Sequence, residues 1–425
     1  MTERLFNLLD KSKSPFHVVL NIVEELEKKG FREIKEQDSW KLKKGKYFVK
    51  RNDTSIIAFS IGDNLDDYGF NIVAAHTDSP TFKLKPKHDC FVLDYNRLNV
   101  EPYGGALYYT FLDRPLGVAG RVITKNEKGI KTNFVDVDKD LLVIPSMPIH
   151  FNREANTGLA LNPQVDMLPL YALSSNPFIK ELDVKDEILS FDLYLYPRYK
   201  AHYVLNDEAF MSPKIDDLEC VYSALLSMLD SNNKNGINVC AFFDNEEVGS
   251  QTKQGAASCF LSDTLLRINK ALGFDEEKYL RVLSNSLMVS ADNAHAVNPS
   301  HLEKYDQTNR VFMNKGIVIK YNANNSYTTD AISSGLFKVL CSRANVEYQE
   351  FTNRSDVRGG GTLGAISSSQ LSILSVDMGA AQMAMHSAVE TAGVRDFKDM
   401  IKVFKEFFNS SIIKTSDGYE IRSDK

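Results

Sequence analysis

Residues 238–250 read Asn-Val-Cys-Ala-Phe-Phe-Asp-Asn-Glu-Glu-Val-Gly-Ser. A short apolar run with the texture of a buried strand ends in three carboxylates, Asp244, Glu246 and Glu247. Like charges at the mouth of a core strand repel one another and resist desolvation, and a bound cation offsets that cost. Two adjacent glutamates can then divide labour, one holding a metal and the other moving protons. Taken alone, the stretch also reads as a solvated acidic turn.

The same pattern recurs along the chain. Phe70-Asn71-Ile72-Val73-Ala74-Ala75 is short, apolar and β-branched, as interior strands of parallel sheets are, and it ends at His76-Thr77-Asp78. Strand patterns over 287–290 and 371–376 lead to Asp292 and to Asp377, with His386 nine residues further on, expected on the ensuing helix. Patterns over 317–320 and 346–351 suggest further strands. The stretch 213–229 reads as a helix opened by Asp216 and Asp217. Near the N-terminus, Ser14-Pro15 starts a helix with a cap and a pre-set first residue, and Gly30 ends it. Two strands are expected around Lys44-Gly45.

A chain of 425 residues is long enough for two or more domains. Between about 86 and 205 the texture changes to short alternating stretches separated by turns such as Asn126-Glu127-Lys128-Gly129, the pattern of antiparallel β structure. The simplest organisation is an α/β domain in two pieces, 1–85 and 206–425, interrupted by a mainly β insert over 86–205. The formal charge of −6 and the lack of a dense Lys/Arg block argue against a nucleic-acid binder. Lys41, Lys43, Lys44 and Lys46 read as a solvated hairpin. No apolar run approaches membrane-spanning length, and no secretory signal pattern opens the chain. Five scattered cysteines without a CxxC suit a reducing compartment, so a cytoplasmic, membrane-free protein is expected.

In open α/β sheets, ligands bind beyond the carboxyl ends of the strands, and here several such ends carry metal-ligand residue types. Each has a plain explanation: a histidine after a strand is usually a turn residue, and Asp at a helix start is usually a cap. Recurrence at ends that converge in space is what favours a shared site. Two histidines with three or four carboxylates suit a pair of divalent cations, zinc foremost, with manganese or cobalt also accommodated. Such a pair, about 3.5–4 Å apart, would bind a hydroxide between them and polarise a carbonyl. Glu246, beside Glu247, fits the general base, and Asp78 could accept the ring N–H of His76. Gly359, Gly361 and Gly364 satisfy G-x-G-x-x-G, but a strand expected from about Leu371 leaves too little room for a nucleotide-binding helix. A glycine-rich loop lying against the site, its backbone N–H groups free to meet substrate, is the better reading.

These residues resemble the aspartyl aminopeptidase family of zinc metallopeptidases. The resemblance runs through 74–80, Ser212-Pro213-Lys214-Ile215-Asp216, 243–250, 290–297, 377–387 and, in the insert, Ile149-His150-Phe151-Asn152-Arg153. It implies a metallo-aminopeptidase fold with a mixed, largely parallel sheet flanked by helices, and an insert that serves as a dimerisation domain. It further implies that Asp216 bridges two metals, that His76 and Asp292 complete one site, and that Glu247 and His386 complete the other. Glu246 would be the general base and Asp78 the orienter of His76. His150, His295, Lys320, Tyr327 and Gly360 would contact substrate, His150 from a neighbouring subunit and Lys320 opposite an acidic side chain. The implied activity is removal of N-terminal Asp or Glu from peptides with a free amino end, by a homododecamer built from dimers. Asp217, Asn293, Asn298 and the loop Arg358-Gly359-Gly360-Gly361-Thr362 depart from the family pattern. Alternative readings are a carboxypeptidase or amide deacylase on the same two metals, or a non-catalytic metal-stabilised scaffold.

Overall fold

Apolar runs too short to be helices lie side by side in a nine-stranded sheet in this computed structural model, which describes residues 1–232 and 234–423. Asn233, Asp424 and Lys425, part of the expected 206–425 piece, lie outside the described residues. The strands are β1 (Arg32–Glu33), β2 (Gly45–Arg51), β3 (Ser55–Ile61), β4 (Phe70–His76), β5 (Ile237–Phe243), β6 (Leu287–Ala291), β7 (Ile317–Lys320), β8 (Tyr348–Phe351) and β9 (Leu374–Gly379). Their spatial order is β1-β2-β3-β5-β4-β6-β9-β7-β8. The four middle strands, β5, β4, β6 and β9, are parallel, so their carboxyl ends open on one edge. β3 and β7 flank them in the opposite direction, which makes the sheet mixed.

Every residue of β4, β5 and β6 is buried, because helices cover both faces. The helices are α1 (Thr2–Lys11), α2 (Pro15–Lys28), α3 (Ile215–Leu229), α4 (Phe260–Ala271), α5 (Glu276–Ser284), α6 (Ala331–Arg343), α7 (Leu363–Leu371) and α8 (Val394–Phe408). Side chains alternate along a strand, so Val73 and Ala75 pack toward α1, α2, α3, α6 and α8, while Ile72 and Ala74 pack toward α4, α5 and α7. α3 is buried along its whole length, and beyond its acidic first turn the sequence is mostly apolar.

Between β4 and α3 the chain leaves this core and builds a six-stranded antiparallel sheet from Thr81 to Pro197. Its strands, in spatial order, are Gly129–Leu142, Leu116–Asn126, Ile188–Pro197, Thr81–Val92, Tyr95–Tyr103 and Leu170–Ala172. The sheet encloses its own apolar cluster around Phe82, Leu98, Val118 and Leu193. A third, smaller sheet contains Ala294–His295, Ala381–Met383 and Glu390–Gly393.

Three local expectations give way to the structure. The hairpin turn falls at Asn52-Asp53, not Lys44-Gly45: both residues have positive φ (58° and 57°), the mirror-image turn that suits twisted strands. The helix α7 occupies Leu363–Leu371, and the next strand waits until Leu374. There is therefore room for a helix after the glycine loop, and the reason given against a dinucleotide site fails. A different one replaces it: β8 ends at Phe351, well before the loop, and Gly364 packs directly on Ser290 and Asp377. Finally, His386 sits in the loop between Ala381–Met383 and Glu390–Gly393 with φ of 67°, not on a helix.

Gly379, at the end of β9, lets two strand ends meet. A Cβ there would lie 1.9 Å from the Asp292 carbonyl oxygen. Gly379→Ala is expected to destabilise the protein by about 1–3 kcal/mol and to displace Asp292. Denaturant unfolding together with metal content measures both effects.

Candidate metal centre

Strand ends deliver the acids. β4 ends in His76, β5 leads to Glu246 and Glu247 through a turn at Asn245 with φ of 65°, and β6 leads to Asp292. The first turn of α3 adds Asp216 and Asp217, and the loop after Ala381–Met383 adds His386. Asp216 stands between the histidines. Its Oδ1 lies 3.3 Å from His76 Nε2, and its Oδ2 lies 3.6 Å from His386 Nε2. Glu247 Oε2 is 3.4 Å from the same His386 nitrogen. Ligand atoms gather within 4.8 Å in three overlapping groups: His76, Asp216, Asp217 and Asp292; His76, Glu246 and Glu247; and Asp216, Glu247 and His386.

The donor set fits divalent cations. Among the described residues, Asp216 Oδ1, Asp217 Oδ1 and Glu247 Oε1 are buried without a hydrogen-bond partner, an arrangement that a positive ion would satisfy. Burial, reinforced by neighbouring carboxylates and opposed by His76, raises Asp217 and Glu247 well above the usual carboxylate range. Burial also pushes Glu246 up to about 8, with His76 opposing and Asp292, Asp78 and Asp216 adding to it. For His76, burial disfavours the cation, but Asp216 and Asp78 outweigh it and the pKa rises. Imidazole with carboxylate is the ligand chemistry of zinc, with manganese and cobalt also suited.

Asp78 does more than face the ring of His76, whose Nδ1 lies 3.4 Å from Asp78 Oδ1 and 3.1 Å from Asp78 O. Its carboxylate also accepts the backbone N–H groups of Glu246 (3.1 Å) and Glu247 (3.2 Å) and the Tyr103 hydroxyl (2.7 Å). Asp217 accepts the backbone N–H of His76 at 3.1 Å. Asp377 stands apart from the ligand groups, because its oxygens are taken by Thr362 Oγ1 (2.6 Å), Thr328 Oγ1 (2.8 Å) and the Thr328 N–H.

The expected substrate contacts are dispersed. Lys320 is buried, with Nζ 3.4 Å from Asp292 Oδ2 and 3.0 Å from the Asn293 carbonyl, so its charge faces a candidate ligand and not an open pocket. Tyr327 is buried beneath that ammonium, 5.4 Å from ring centre to Nζ. His295 and Gly360 line one cavity of about 340 Å³, whose wall includes Lys304, Arg310, Arg354 and Arg358. His150 lies on an exposed turn of the insert and joins none of the three ligand groups.

Glu390 is a functional residue that the pattern does not reveal. Its carboxylate accepts the backbone N–H of Asp216 (3.0 Å) and of His386 (2.8 Å), tying two ligand segments together. Only its place four residues after His386 marks it in the sequence.

A pH dependence follows for chelated protein. Burial first, then Asp216, raises Glu390 to about 8; burial first, then Asp78, raises Asp244 to about 7. With Glu246, these acids hold more protons folded than unfolded between about pH 4 and 8, so stability falls as pH rises through that window. His76 acts in the same direction, because its stabilising charge is full below about pH 6.5 and is lost as pH rises through its elevated folded pKa. Thermal melting in chelator should drop between about pH 5 and pH 8.5, and by less in metal-loaded protein.

Comparison with known proteins converges on one family. The model of the Aminopeptidase I zinc metalloprotease (M18) family matches residues 8–408. A probable M18 family aminopeptidase 2 of Clostridium novyi (strain NT) is 46% identical over 422 residues, covering 95% of this chain and 98% of the relative. The match therefore spans the insert as well as the α/β core. Among solved structures, a chain in the cryo-EM structure of the Ape4 and Nbr1 complex superposes with a TM-score of 0.91 at 33% identity, covering 95% of this chain and 84% of that one. The S. cerevesiae mApe1 dodecamer superposes with a TM-score of 0.83 at 26% identity, covering 96% and 95%.

Proposed function

Because the chain belongs to the aminopeptidase I zinc metalloprotease (M18) family and is thus a peptide-hydrolysing aminopeptidase, we propose that it removes acidic N-terminal residues at a centre for two divalent cations. Asp216 carries the reading: its two carboxylate oxygens face different histidines, as a bridging ligand requires. His76, Asp216 and Asp292 would hold one ion, and Asp216, Glu247 and His386 the other. Zinc is the expected metal, with manganese or cobalt as substitutes. Bound ions supply Lewis acidity toward the scissile carbonyl and toward water. Glu246 takes a proton from water at its carboxylate and returns it to the departing amine nitrogen. Asp78 fixes the ring of His76 and, through two backbone N–H groups, the turn that aims Glu246.

The acidic preference is supported by the cavity beside His295. Lys304, Arg310, Arg354 and Arg358 line it, and the Asp306 carboxylate there is occupied by the Thr308 and Asn309 N–H groups. Among the described residues, no carboxylate lies within ion-pair distance of Lys304 or Arg358. Lys320 acts one step back, holding Asp292.

Assembly into a dodecamer built from dimers through the insert, with His150 completing a neighbour's site, is supported by the dodecameric relative. Apolar side chains exposed around His150, namely Met147, Ile149 and Phe151, add to that support. A cytoplasmic setting is supported by five unpaired thiols. No helix of the described residues is long and apolar enough to cross a membrane.

Glu246→Gln should keep its metal and lose about 10²–10⁴-fold in kcat; turnover near wild type would remove Glu246 as the base. On a panel of N-terminal chromogenic amino-acid substrates, Lys320→Ala should lower kcat/KM for acidic and apolar residues alike, whereas Arg358→Ala should narrow the gap between them. A gap that Arg358→Ala leaves untouched would take the cavity out of substrate selection.

A further inference from the structure

The strand Tyr95–Tyr103 of the insert ends against the metal centre, and the next two residues, Gly104 and Gly105, run along it. We infer that Tyr103-Gly104-Gly105 is a positioning element for both histidine ligands, so that the centre gains its cation-binding geometry only against the root of the inserted sheet. The inference rests on the two-cation reading above.

Three contacts carry it. The buried Tyr103 hydroxyl donates to Asp78 Oδ2 at 2.7 Å and accepts from Asn245 Nδ2 at 2.8 Å. It thereby holds the carboxylate that faces His76 Nδ1, and it ties that carboxylate to the residue before Glu246. The Gly105 carbonyl lies 3.2 Å from His386 Nδ1. A carbonyl only accepts, so His386 carries a proton on Nδ1, and Nε2, facing Asp216 and Glu247, is the nitrogen left to meet a cation. His76 Nδ1 is held by Asp78, through its backbone carbonyl at 3.1 Å and its carboxylate at 3.4 Å, which leaves Nε2 as the nitrogen facing Asp216. One short segment thus braces both rings, His386 directly and His76 through the Asp78 carboxylate beside it.

The backbone between these contacts leaves little room for a side chain at Gly104. Gly104 has φ of 71°, and a Cβ there would lie 3.0 Å from Glu247 Cβ and 3.4 Å from Pro80 Cβ. Beyond it, Leu107 N donates to the His386 carbonyl at 2.9 Å, and Thr110 Oγ1 accepts the Ala388 N–H at 2.8 Å. The grip on the His386 loop therefore continues past the glycines. Partners that orient a ligand imidazole typically change metal affinity about 10- to 100-fold when removed.

The test uses full-length protein, stripped of metal and titrated with Co2+, reading the dissociation constant and the visible d–d bands. Tyr103→Phe deletes only the hydroxyl. It should stay folded without metal, with a modestly lower melting temperature, bind Co2+ about 10- to 100-fold more weakly and show altered bands. Tyr194→Phe, whose ring packs edge-on to Tyr103 at 5.4 Å, serves as the control and should match wild type. Gly104→Ala should lose the second equivalent of Co2+, because the added methyl group displaces Glu247. If Tyr103→Phe and Gly104→Ala both bind Co2+ with wild-type affinity, stoichiometry and spectrum, the inference is overturned. If wild type itself fails to bind Co2+, the two-cation reading beneath it falls instead.

Discussion

Charge compensation is the constraint on which the site depends. Asp216, Asp217, Glu246, Glu247 and Asp292 share one cleft with two imidazoles and the buried ammonium of Lys320. Carboxylates packed this way protonate, disrupt the fold, or recruit positive ions. The four parallel middle strands create the crowding by opening their carboxyl ends on one edge. The same geometry that makes the acids repel makes them chelate.

Rigidity beneath the glutamates matters as much as the ligands. The turn at Asn245 is held from several sides: its side-chain oxygen accepts from Thr252 Oγ1 and Gln254 Nε2, both at 2.9 Å, and its amide donates to Tyr103. Ser55 Oγ accepts the Asp244 N–H at 2.9 Å. A fully satisfied polar network of this kind fixes a single geometry, whereas a partly satisfied one would let Glu246 wander. The two glutamates thus sit on a scaffold drawn from β3, the insert and their own loop.

Much of this was legible in the chain because ligand types recur after apolar runs, and strand ends are easy to recognise. His76, Glu247 and Asp292 announce themselves in that way. Glu390 and Tyr103 do not: each is an ordinary residue type far in sequence from the group it holds, and only the folded topology makes them neighbours. α7 was hidden by Ser367, Ser368 and Ser369, which lend a helix the texture of a loop. Lys320 illustrates a different limit. A cation at the end of an apolar strand is visible in the sequence, but its partner, Asp292, comes from a separate strand that no spacing rule connects to it.

The insert's first and last strands are hydrogen-bonded neighbours, with Lys83 beside Tyr194 and Thr81 Oγ1 donating to the Leu195 carbonyl at 2.6 Å. A module whose two ends meet can enter an ancestral chain at one point without disturbing the order of the host strands, and in principle it can be excised as cleanly. Here excision would also carry off the hydroxyl and the carbonyl that brace the histidines. The point of attachment is thus also a point of support: the outer face of the insert is free of that duty, while its root carries it.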